Sequence, residues 1–565
     1  MRSVTVSTLD VMSTEATSRA PQRAPHLAST SWRGTARRAL AAGLATGAAL
    51  GVAGPAAAAG PEPRPAAVQP LKDRWGDDTT GEGGKAAALD GVWRAERDLG
   101  SLSTITRAYG AQAVWATRDA AGRTVTGKGV TVAVIDTGVA AVPGLDAPGK
   151  VLNGPDLSYD SQQAGTRYVD GYGHGTHMAA IVAGRDSAVR AGTERDPRHF
   201  VGVAPDARIL SVKVGASDGG ADVSQVIAAV DWVVAHRAET GTRVINLSYG
   251  TLSQQPAAVD PLARAVENAW RKGIVVVASA GNDGLASPRL AMPAEDPYVI
   301  AVGAVDHRGT PDPRDDQVGS FTNGGSTARR PDVLAPGKSV VSLRVPGSDA
   351  DRHHPEGRLP GDAAGRFFRG SGTSQAAAVV SGSVALLLQA RPSLTPDQVK
   401  ALLRGTADPL AVGHPAMGAG VIDLKGALAA PAPTARQAWP ASTGLGTLEA
   451  SRGGDHVVDP ANGRALFGEV DALGAPFSSA RWVAASTAGT AWSGGAWNGR
   501  TWTGTGWATG GWAPAAWTGT SWSGLDWSTR SWSADAWAAR SWRGTDFLAR
   551  SWRGSTWLAR SWRGF

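Results

Sequence analysis

The feature that most constrains the fold is an alternation of apolar runs with amphipathic stretches between about residues 128 and 430. Strands buried on both faces are typically rich in β-branched residues, as are Val130–Ile135, Ile209–Val214, Val244–Leu247 and Ile274–Val277. Helical patterns follow at Asp222–Arg237, Leu262–Lys272 and Ser374–Gln389. Thr395 begins a capping box for a further helix. The alternation predicts an α/β fold in which a mostly parallel sheet is sandwiched between helices.

Two properties of the composition exclude whole classes of function. The 565 residues include no cysteine, which rules out a disulfide scaffold, a thiolate metal site and a cysteine nucleophile. The net charge is +7, but residues 1–59 carry six arginines against two carboxylates and residues 530–565 carry seven against two. The intervening body is therefore slightly acidic. A nucleic-acid partner is not expected for such a body.

The N-terminus has the pattern of an export signal. Arg37 and Arg38 precede an uncharged apolar stretch from Ala39 to Ala53, which is too short for a typical membrane span. Small residues at 57–59 then predict cleavage before Gly60. We therefore expect a signal peptide over 1–59 and an extracellular protein. The paired arginines leave the twin-arginine route open beside the ordinary secretory one. Residues 60–105 have the composition of a linker or short propeptide.

Three polar residues stand at glycine-flanked turns, and each has a structural alternative. Asp136 ends a predicted strand, where active-site residues of α/β sheets lie, although such an acid can simply cap a turn. His174 begins an apolar helix, and with His177 it has the spacing of two metal ligands. Ser374 follows Gly370-Ser371-Gly372-Thr373, where a serine is also a common helix N-cap.

In the order Asp, His, Ser, these segments resemble the subtilisin-like serine peptidases (subtilases), over roughly residues 105–430. The matching segments are Gly127–Gly138, Gly173–His177, Leu247–Gly250, Ala278–Asn282 and Gly418–Asp423. The resemblance implies that the peptidase domain spans residues 106–430. It also implies a secreted endopeptidase acting on proteins or peptides.

The resemblance assigns a role to each candidate residue. Ser374 would be the nucleophile, His174 the general base and Asp136 the group that orients the imidazole. Asn282 would supply a side-chain donor to the oxyanion hole. Substrate binding would involve residues of two of these segments, Leu247–Gly250 and Ala278–Asn282. The residues are Ser248, Tyr249, Gly250, Ala280 and Gly281. An inactive surface-binding or structural protein is the alternative from another class.

The chain also departs from the usual family pattern. Gln375 stands where methionine usually follows the nucleophile, and Ala378 stands where proline is usual, which puts the width of the adjacent subsite in doubt. Subtilases often bind structural calcium, but no run of carboxylates here identifies ligands, and we assign no metal site. Residues 60–105 are also too few to match the family's folding propeptide.

A five-residue tryptophan repeat begins at Trp492 and ends at Trp562, with Phe547 in one of its positions. The composition predicts a linker over 431–481 and a separate Trp-rich segment over 482–565. A stack that buries its own rings and a surface-binding array fit the period equally well. The excess of arginine near the end favours an anionic cell-wall polymer or membrane surface as partner. Stacking on single-stranded nucleic acid is the less favoured alternative.

Overall fold

The computed structural model describes residues 91–502, apart from 163–165, 309, 311, 455, 460–462 and 494. The predicted signal peptide, residues 60–90 and the tryptophans after Trp502 lie outside the described residues. The strands are β1 Thr131–Asp136, β2 Val151–Asp156, β3 Arg208–Lys213, β4 Thr242–Leu247, β5 Val275–Ser279, β6 Ile300–Asp306, β7 Gln317–Val318, β8 Val333–Pro336, β9 Val340–Leu343, β10 Phe367–Gly370, β11 Val458–Asp459, β12 Arg464–Ala465, β13 Trp492–Ser493, β14 Ala496–Trp497 and β15 Arg500–Thr501.

Eleven α-helices connect or cover these strands within the described part of the chain. They are α1 Leu102–Ala108, α2 Ala111–Trp115, α3 His174–Ala183, α4 Val223–Thr240, α5 Pro261–Arg271, α6 Asp349–His353, α7 Thr373–Ala390, α8 Pro396–Gly405, α9 Leu424–Ala429, α10 Leu448–Arg452 and α11 Ser479–Ala488. Asp222 and Thr395 each complete a capping box, at the start of α4 and α8 respectively. The capping box predicted at Thr395 is confirmed.

The main sheet has the strand order β2-β3-β1-β4-β5-β6, and all of these neighbours are parallel. Strand β8 adds to β6 in parallel and β7 adds to it antiparallel. Every residue of β1 is buried, so helices must cover both faces of the sheet. Helices α3 and α7 pack together as one pair, and α4 and α5 form another. The predicted mostly parallel α/β architecture is confirmed.

The order of the strands decides where a site can form. The chain leaves β1 toward β2 on one side, and it later crosses to β4 on the other side. This change of direction opens a crevice at the carboxyl end of β1. Asp136 is the last residue of that strand. Helix α7 is the one described helix with the length and hydropathy of a membrane span, and 94% of that stretch is buried inside the protein.

Residues 442–502, here called the C-terminal segment, pack against α4 and α5. Arg452 and Asp222 form a fully buried ion pair, with 2.6 Å between Nε and Oδ2. Trp482 and Trp497 both donate to Asp231 Oδ2, at 2.7 and 3.0 Å. The composition of residues 431–481 predicts a linker, whereas the structure gives this range helix α10 and the two-stranded β11–β12 ribbon.

The first tryptophan repeats form a small antiparallel sheet. Trp492 pairs with Trp497, and Trp497 pairs with Arg500, in three two-residue strands that begin four residues apart. The Trp497 and Trp502 rings meet edge to face, with centroids 5.3 Å apart. Trp482, Trp492, Trp497 and Trp502 are each at most 8% exposed. These four rings therefore belong to the core and cannot contact an external surface.

Candidate active site

The predicted Asp–His pair is present at the carboxyl end of β1. His174 Nδ1 lies 2.8 Å from Asp136 Oδ1, and both side chains are completely buried. The same carboxylate oxygen accepts the Thr137 backbone N–H at 2.8 Å. A carboxylate can only accept, so Nδ1 carries the proton and the imidazole has a fixed tautomer. Its Nε2 edge is then the one that can take a proton from a nucleophile.

A second carboxylate, which the sequence analysis did not single out, holds the start of α3. Asp170 Oδ1 accepts from Thr137 Oγ1 at 2.8 Å and from Gly173 N at 2.7 Å. Its Oδ2 accepts from the backbone N–H and the hydroxyl of Thr176, at 2.8 and 2.6 Å. Asp170 thereby ties the turn after Asp136 to the helix turn that carries His174. A signal was available, since a carboxylate near a helix N-terminus is favoured there.

A buried lysine fixes the same turn from the other side. Lys213 Nζ donates to the Thr137 carbonyl at 2.8 Å and pairs with Asp160 Oδ2 at 2.9 Å. Burial alone would lower the pKa of Lys213, but Asp160 and Asp156 outweigh it and the pKa is raised. Burial also raises the pKa of Asp156 to about 6. The charged Lys213 ammonium therefore stabilises the turn after Asp136 through its hydrogen bond to the Thr137 carbonyl.

Ser374 is the second residue of α7, one position after Thr373 and two after the N-cap Gly372. The N-cap alternative for Ser374 is therefore wrong. Its Oγ is buried and makes no hydrogen bond within the described part of the chain. Helix α7 is joined to β4 because Ser248 Oγ donates to the Ser374 carbonyl at 3.2 Å and Ser381 Oγ donates to Asn246 Oδ1 at 2.9 Å. These two hydrogen bonds fix the position of Ser374 relative to strand β4.

Asn282 lies beside Ser374, and its amide orientation is set by Thr373. Its Oδ1 accepts the Thr373 backbone N–H at 2.9 Å and the Thr373 hydroxyl at 3.0 Å. With the oxygen engaged there, the NH₂ group lies on the other edge of the amide plane. Gly281 before it has φ +107°, and a Cβ there would lie 2.5 Å from Asn323 Nδ2. Only glycine fits this turn.

One cleft is lined by five of the nine predicted site residues, but not by Asp136 or His174. Its lining includes Ser374, Asn282, Ser248, Gly250 and Gly281. Tyr249 and Ala280 are buried and do not line the cleft. The cleft also includes residues that sequence reasoning missed, namely Thr251, Leu252, Ser279, Asp283 and Ala291. The cleft is therefore lined by the Ser374 and Asn282 side chains and by the loops around residues 248–252 and 279–283.

The geometry does not favour a metal site at His174 and His177. His174 faces Asp136, whereas His177 Nε2 lies 3.2 Å from the Phe368 carbonyl. Burial, with a smaller contribution from His174, lowers the pKa of His177 to about 3. Within the ranges that the structure describes, no group of three or more His, Asp or Glu side chains could hold a metal ion.

The chain is similar to known peptidases over about half of its length. It is 38% identical over 295 residues to the serine protease AprX of Bacillus subtilis, covering 51% of this chain and 63% of AprX. It is 32% identical over 288 residues to subtilisin BL of Lederbergia lenta, covering 87% of that protein. The crystal structure of fervidolysin from Fervidobacterium pennivorans matches 58% of this chain and 46% of its own, with 30% identity and a TM-score of 0.44.

More than a third of AprX lies outside its match to this chain. The match to subtilisin BL covers most of subtilisin BL. The family model of the subtilases matches residues 127–440, which are more than half of the chain. This range contains β1, which ends at Asp136, and helices α3 and α7, which carry His174 and Ser374. It also contains the loop after β5 that carries Asn282. The chain belongs to the subtilase family.

Proposed function

We propose that this chain is a secreted serine endopeptidase that hydrolyses peptide bonds in protein or peptide substrates. Asp136, His174 and Ser374 form its triad. The observation that carries the proposal is the buried 2.8 Å contact between His174 Nδ1 and Asp136 Oδ1. Ser374 and Asn282 line a cleft, and helix α7, which carries Ser374, packs against α3, which carries His174. Catalytic hydrogen bonds commonly tighten only when substrate is bound, so the Ser374 hydroxyl can pair with Nε2 in the complex.

The reaction begins when Ser374 Oγ attacks the scissile carbonyl carbon and passes its proton to His174 Nε2. The resulting imidazolium is stabilised by the Asp136 carboxylate, which keeps its charge. The carbonyl oxygen becomes an oxyanion, which the Asn282 amide and the Ser374 backbone N–H can bind at the N-terminus of α7. A side-chain donor of this kind contributes about 3 kcal/mol to the barrier reduction.

The intermediate collapses when His174 returns the proton to the leaving amine, which leaves an acyl group on Ser374. Water then attacks the acyl-enzyme with His174 again as base, and the acid product leaves. Ser248, Gly250 and Gly281 line the cleft, and in this proposal they contact the substrate chain. The buried Tyr249 and Ala280 would support this lining.

Casein hydrolysis by purified protein tests this function. We expect Ser374→Ala to lower activity by at least about 10⁴-fold, since the triad acts as a unit. Ser383→Ala is the matched control, because Ser383 Oγ lies on the same helix and donates only to the Val379 carbonyl. A folded wild-type protein without activity would contradict the proposal and favour the inactive surface-binding alternative.

Secretion is part of the proposal and has its own test. The export pattern over residues 1–59 supports it. When the full chain is expressed in a secreting bacterial host, we expect activity in the medium and a mature protein that lacks the predicted signal peptide. Activity confined to the cell, with the N-terminus intact, would contradict secretion without affecting the proposed chemistry.

Contact with an anionic cell-wall polymer or membrane surface is proposed only for the tryptophans after Trp502. The earlier four rings are buried, and the later part of the repeat has the excess of arginine. A chain ending at residue 502 should hydrolyse soluble peptides as the full chain does, but should be retained less on cells. Equal retention of the two forms would contradict the anchoring proposal.

A further inference from the structure

We propose that the C-terminal segment, which lies beyond the family match, positions one wall of the substrate cleft. The inference rests on the proposed peptidase function and adds a determinant of substrate binding to it. The wall is the loop 250–255, of which Gly250, Thr251 and Leu252 line the cleft. The family match ends at residue 440, and α10 begins at Leu448.

The loop is hydrogen-bonded along its length to residues 447–453. Thr251 Oγ1 donates to the Ser451 carbonyl at 2.6 Å, and the Gln254 backbone N–H donates to the Ala450 carbonyl at 2.8 Å. Gln255 Nε2 donates to the Thr447 carbonyl at 2.9 Å. A loop carrying a binding site needs such support, because its own backbone lacks the partners that a strand or helix supplies.

Gly453 makes the closest approach to the cleft wall. Its φ is +85°, and a Cβ at this position would lie 2.5 Å from the Leu252 carbonyl oxygen. Gln254 Nε2 also donates to the Gly453 carbonyl. The backbone of Gly453 therefore packs directly behind a residue that lines the cleft. Any shift of this part of the C-terminal segment must be transmitted to Leu252.

Two buried carboxylates fix the segment relative to the catalytic domain. Arg452 pairs with Asp222, the N-cap of α4, and both side chains are fully buried. Ser451 Oγ donates at 3.0 Å to Asp260, the N-cap of α5, and Ser253 Oγ donates to the same carboxylate at 2.7 Å. The cleft loop and the C-terminal segment thus share one buried anchor.

The opposite side of the loop is held within the family region itself. Thr251 exchanges backbone hydrogen bonds with Met292, and Arg289 Nη1 donates to the Ser253 carbonyl at 2.9 Å. The C-terminal segment therefore completes a clamp around the loop. Gly453 acts as a positioning residue, because it touches the cleft loop and not the reacting atoms. Gln254 is the loop residue whose side chain bonds to Gly453, and it has the same role.

The test compares Gly453→Ala with Gly474→Ala. Both glycines have positive φ, but a Cβ at Gly474 meets nothing within 4 Å. Both variants place a side chain at positive φ, but only the first presses on Leu252. The kinetics are measured on peptide p-nitroanilides that differ in the side chain before the scissile bond. Labelling of Ser374 by diisopropyl fluorophosphate reports the triad separately.

We expect Gly453→Ala to change KM by at least about fivefold, to a different extent for large and small side chains. The labelling rate should stay within twofold of wild type, and Gly474→Ala should leave KM unchanged. Should Gly453→Ala fail to fold, Gln254→Ala, which removes only the bond to the Gly453 carbonyl, is expected to shift KM by at least about twofold.

Two results separate the failure of this inference from the failure of the proposed function. If the wild-type protein labels and cleaves peptides, but the folded variants keep its KM values, the segment does not position the wall. A parallel loss of labelling and cleavage in proportion to the folded fraction would also overturn the inference. If the wild-type protein neither labels nor cleaves, the proposed peptidase function itself is wrong.

Discussion

Trp497 Nε1 donates a hydrogen bond to Asp231 Oδ2 at 3.0 Å, which anchors the second tryptophan of the repeat to helix α4. The Phe477 and Trp482 rings pack beside it, with Phe477 stacked on Trp497 at 5.9 Å between centroids. Asp231 is buried beneath them. The start of the repeat is therefore part of the peptidase core.

Replacing Trp497 by alanine should destabilise the fold strongly. The ring is 1% exposed, and truncating a buried large aromatic side chain typically costs about 3–5 kcal/mol. Trp439→Ala is the control, because that ring is 53% exposed and its loss should cost less than about 0.5 kcal/mol. Urea unfolding of both variants in the Ser374→Ala background, which prevents autolysis, measures the difference. Equal midpoints would contradict the packing described here.

The packing of this region was beyond sequence reasoning for a physical reason. Pro, Ala and Gly around residues 431–481 have the local composition of a linker. The partners that bury Leu448 and Arg452 belong to the fold of the preceding domain, and Asp222 is 230 residues away. Isolated buried positions without periodicity give no signal in a single sequence.

The main sheet, in contrast, follows from local patterns, whereas the pairing of Asp136 with His174 was predicted from the family resemblance. Strand β1 is buried on both faces, so its run of apolar residues is visible in the sequence, and Asp136 ends that run. Asp170 was missed although its position just before a helix N-terminus was a signal, and Asn246 was missed because its partner lies far along the chain. Asp170 meets Thr137 across 33 residues, and Asn246 meets Ser381 across 135.

Asp170→Asn should lower stability. Both oxygens of the carboxylate accept hydrogen bonds, four in all, whereas an amide has one oxygen that accepts and an NH₂ group that can only donate. An amide in its place turns an NH₂ group toward donors, which leaves buried groups unpaired at a cost of about 2 kcal/mol or more. Asp146→Asn is the control, since that exposed side chain accepts from Gly144 alone within the described residues. Thermal unfolding of the two variants should separate them clearly, and similar melting temperatures would count against the network.

His177 should make the fold sensitive to acid. Its pKa in the folded state is lowered to about 3, chiefly by burial, while the unfolded imidazole titrates near 6.5. Below pH 6.5 the unfolded state therefore binds more protons than the folded state, and stability falls with pH. Between pH 7 and pH 5 the loss from this group is about 2 kcal/mol.

The measurement is the free energy of unfolding as a function of pH for wild type and His177→Asn. Any constant difference reflects lost contacts, such as that with the Phe368 carbonyl. The difference between the two curves should shrink as the pH falls below 6.5. Curves that stay parallel from pH 7 to pH 5 would show that His177 titrates normally.

Gln375 should confer tolerance to peroxide. It directly follows Ser374, the proposed nucleophile, has no sulfur to oxidise, and is completely buried. Its amide oxygen and nitrogen make no hydrogen bond to the described part of the chain. Gln375→Met should therefore raise stability by about 1 kcal/mol and introduce rapid inactivation by millimolar peroxide. Equal inactivation rates for wild type and variant would contradict this prediction.

We propose that Ser374 is the nucleophile and that His174 and Asp136 activate it. The most direct test of this central claim is to react the folded protein with a fluorophosphonate and to locate the adduct by peptide mass spectrometry. We expect one adduct, on Ser374, which does not form in the Ser374→Ala variant or when the protein is denatured before the reagent is added. A folded protein that forms no adduct, or one that carries the adduct on another residue such as Ser371, would contradict the account.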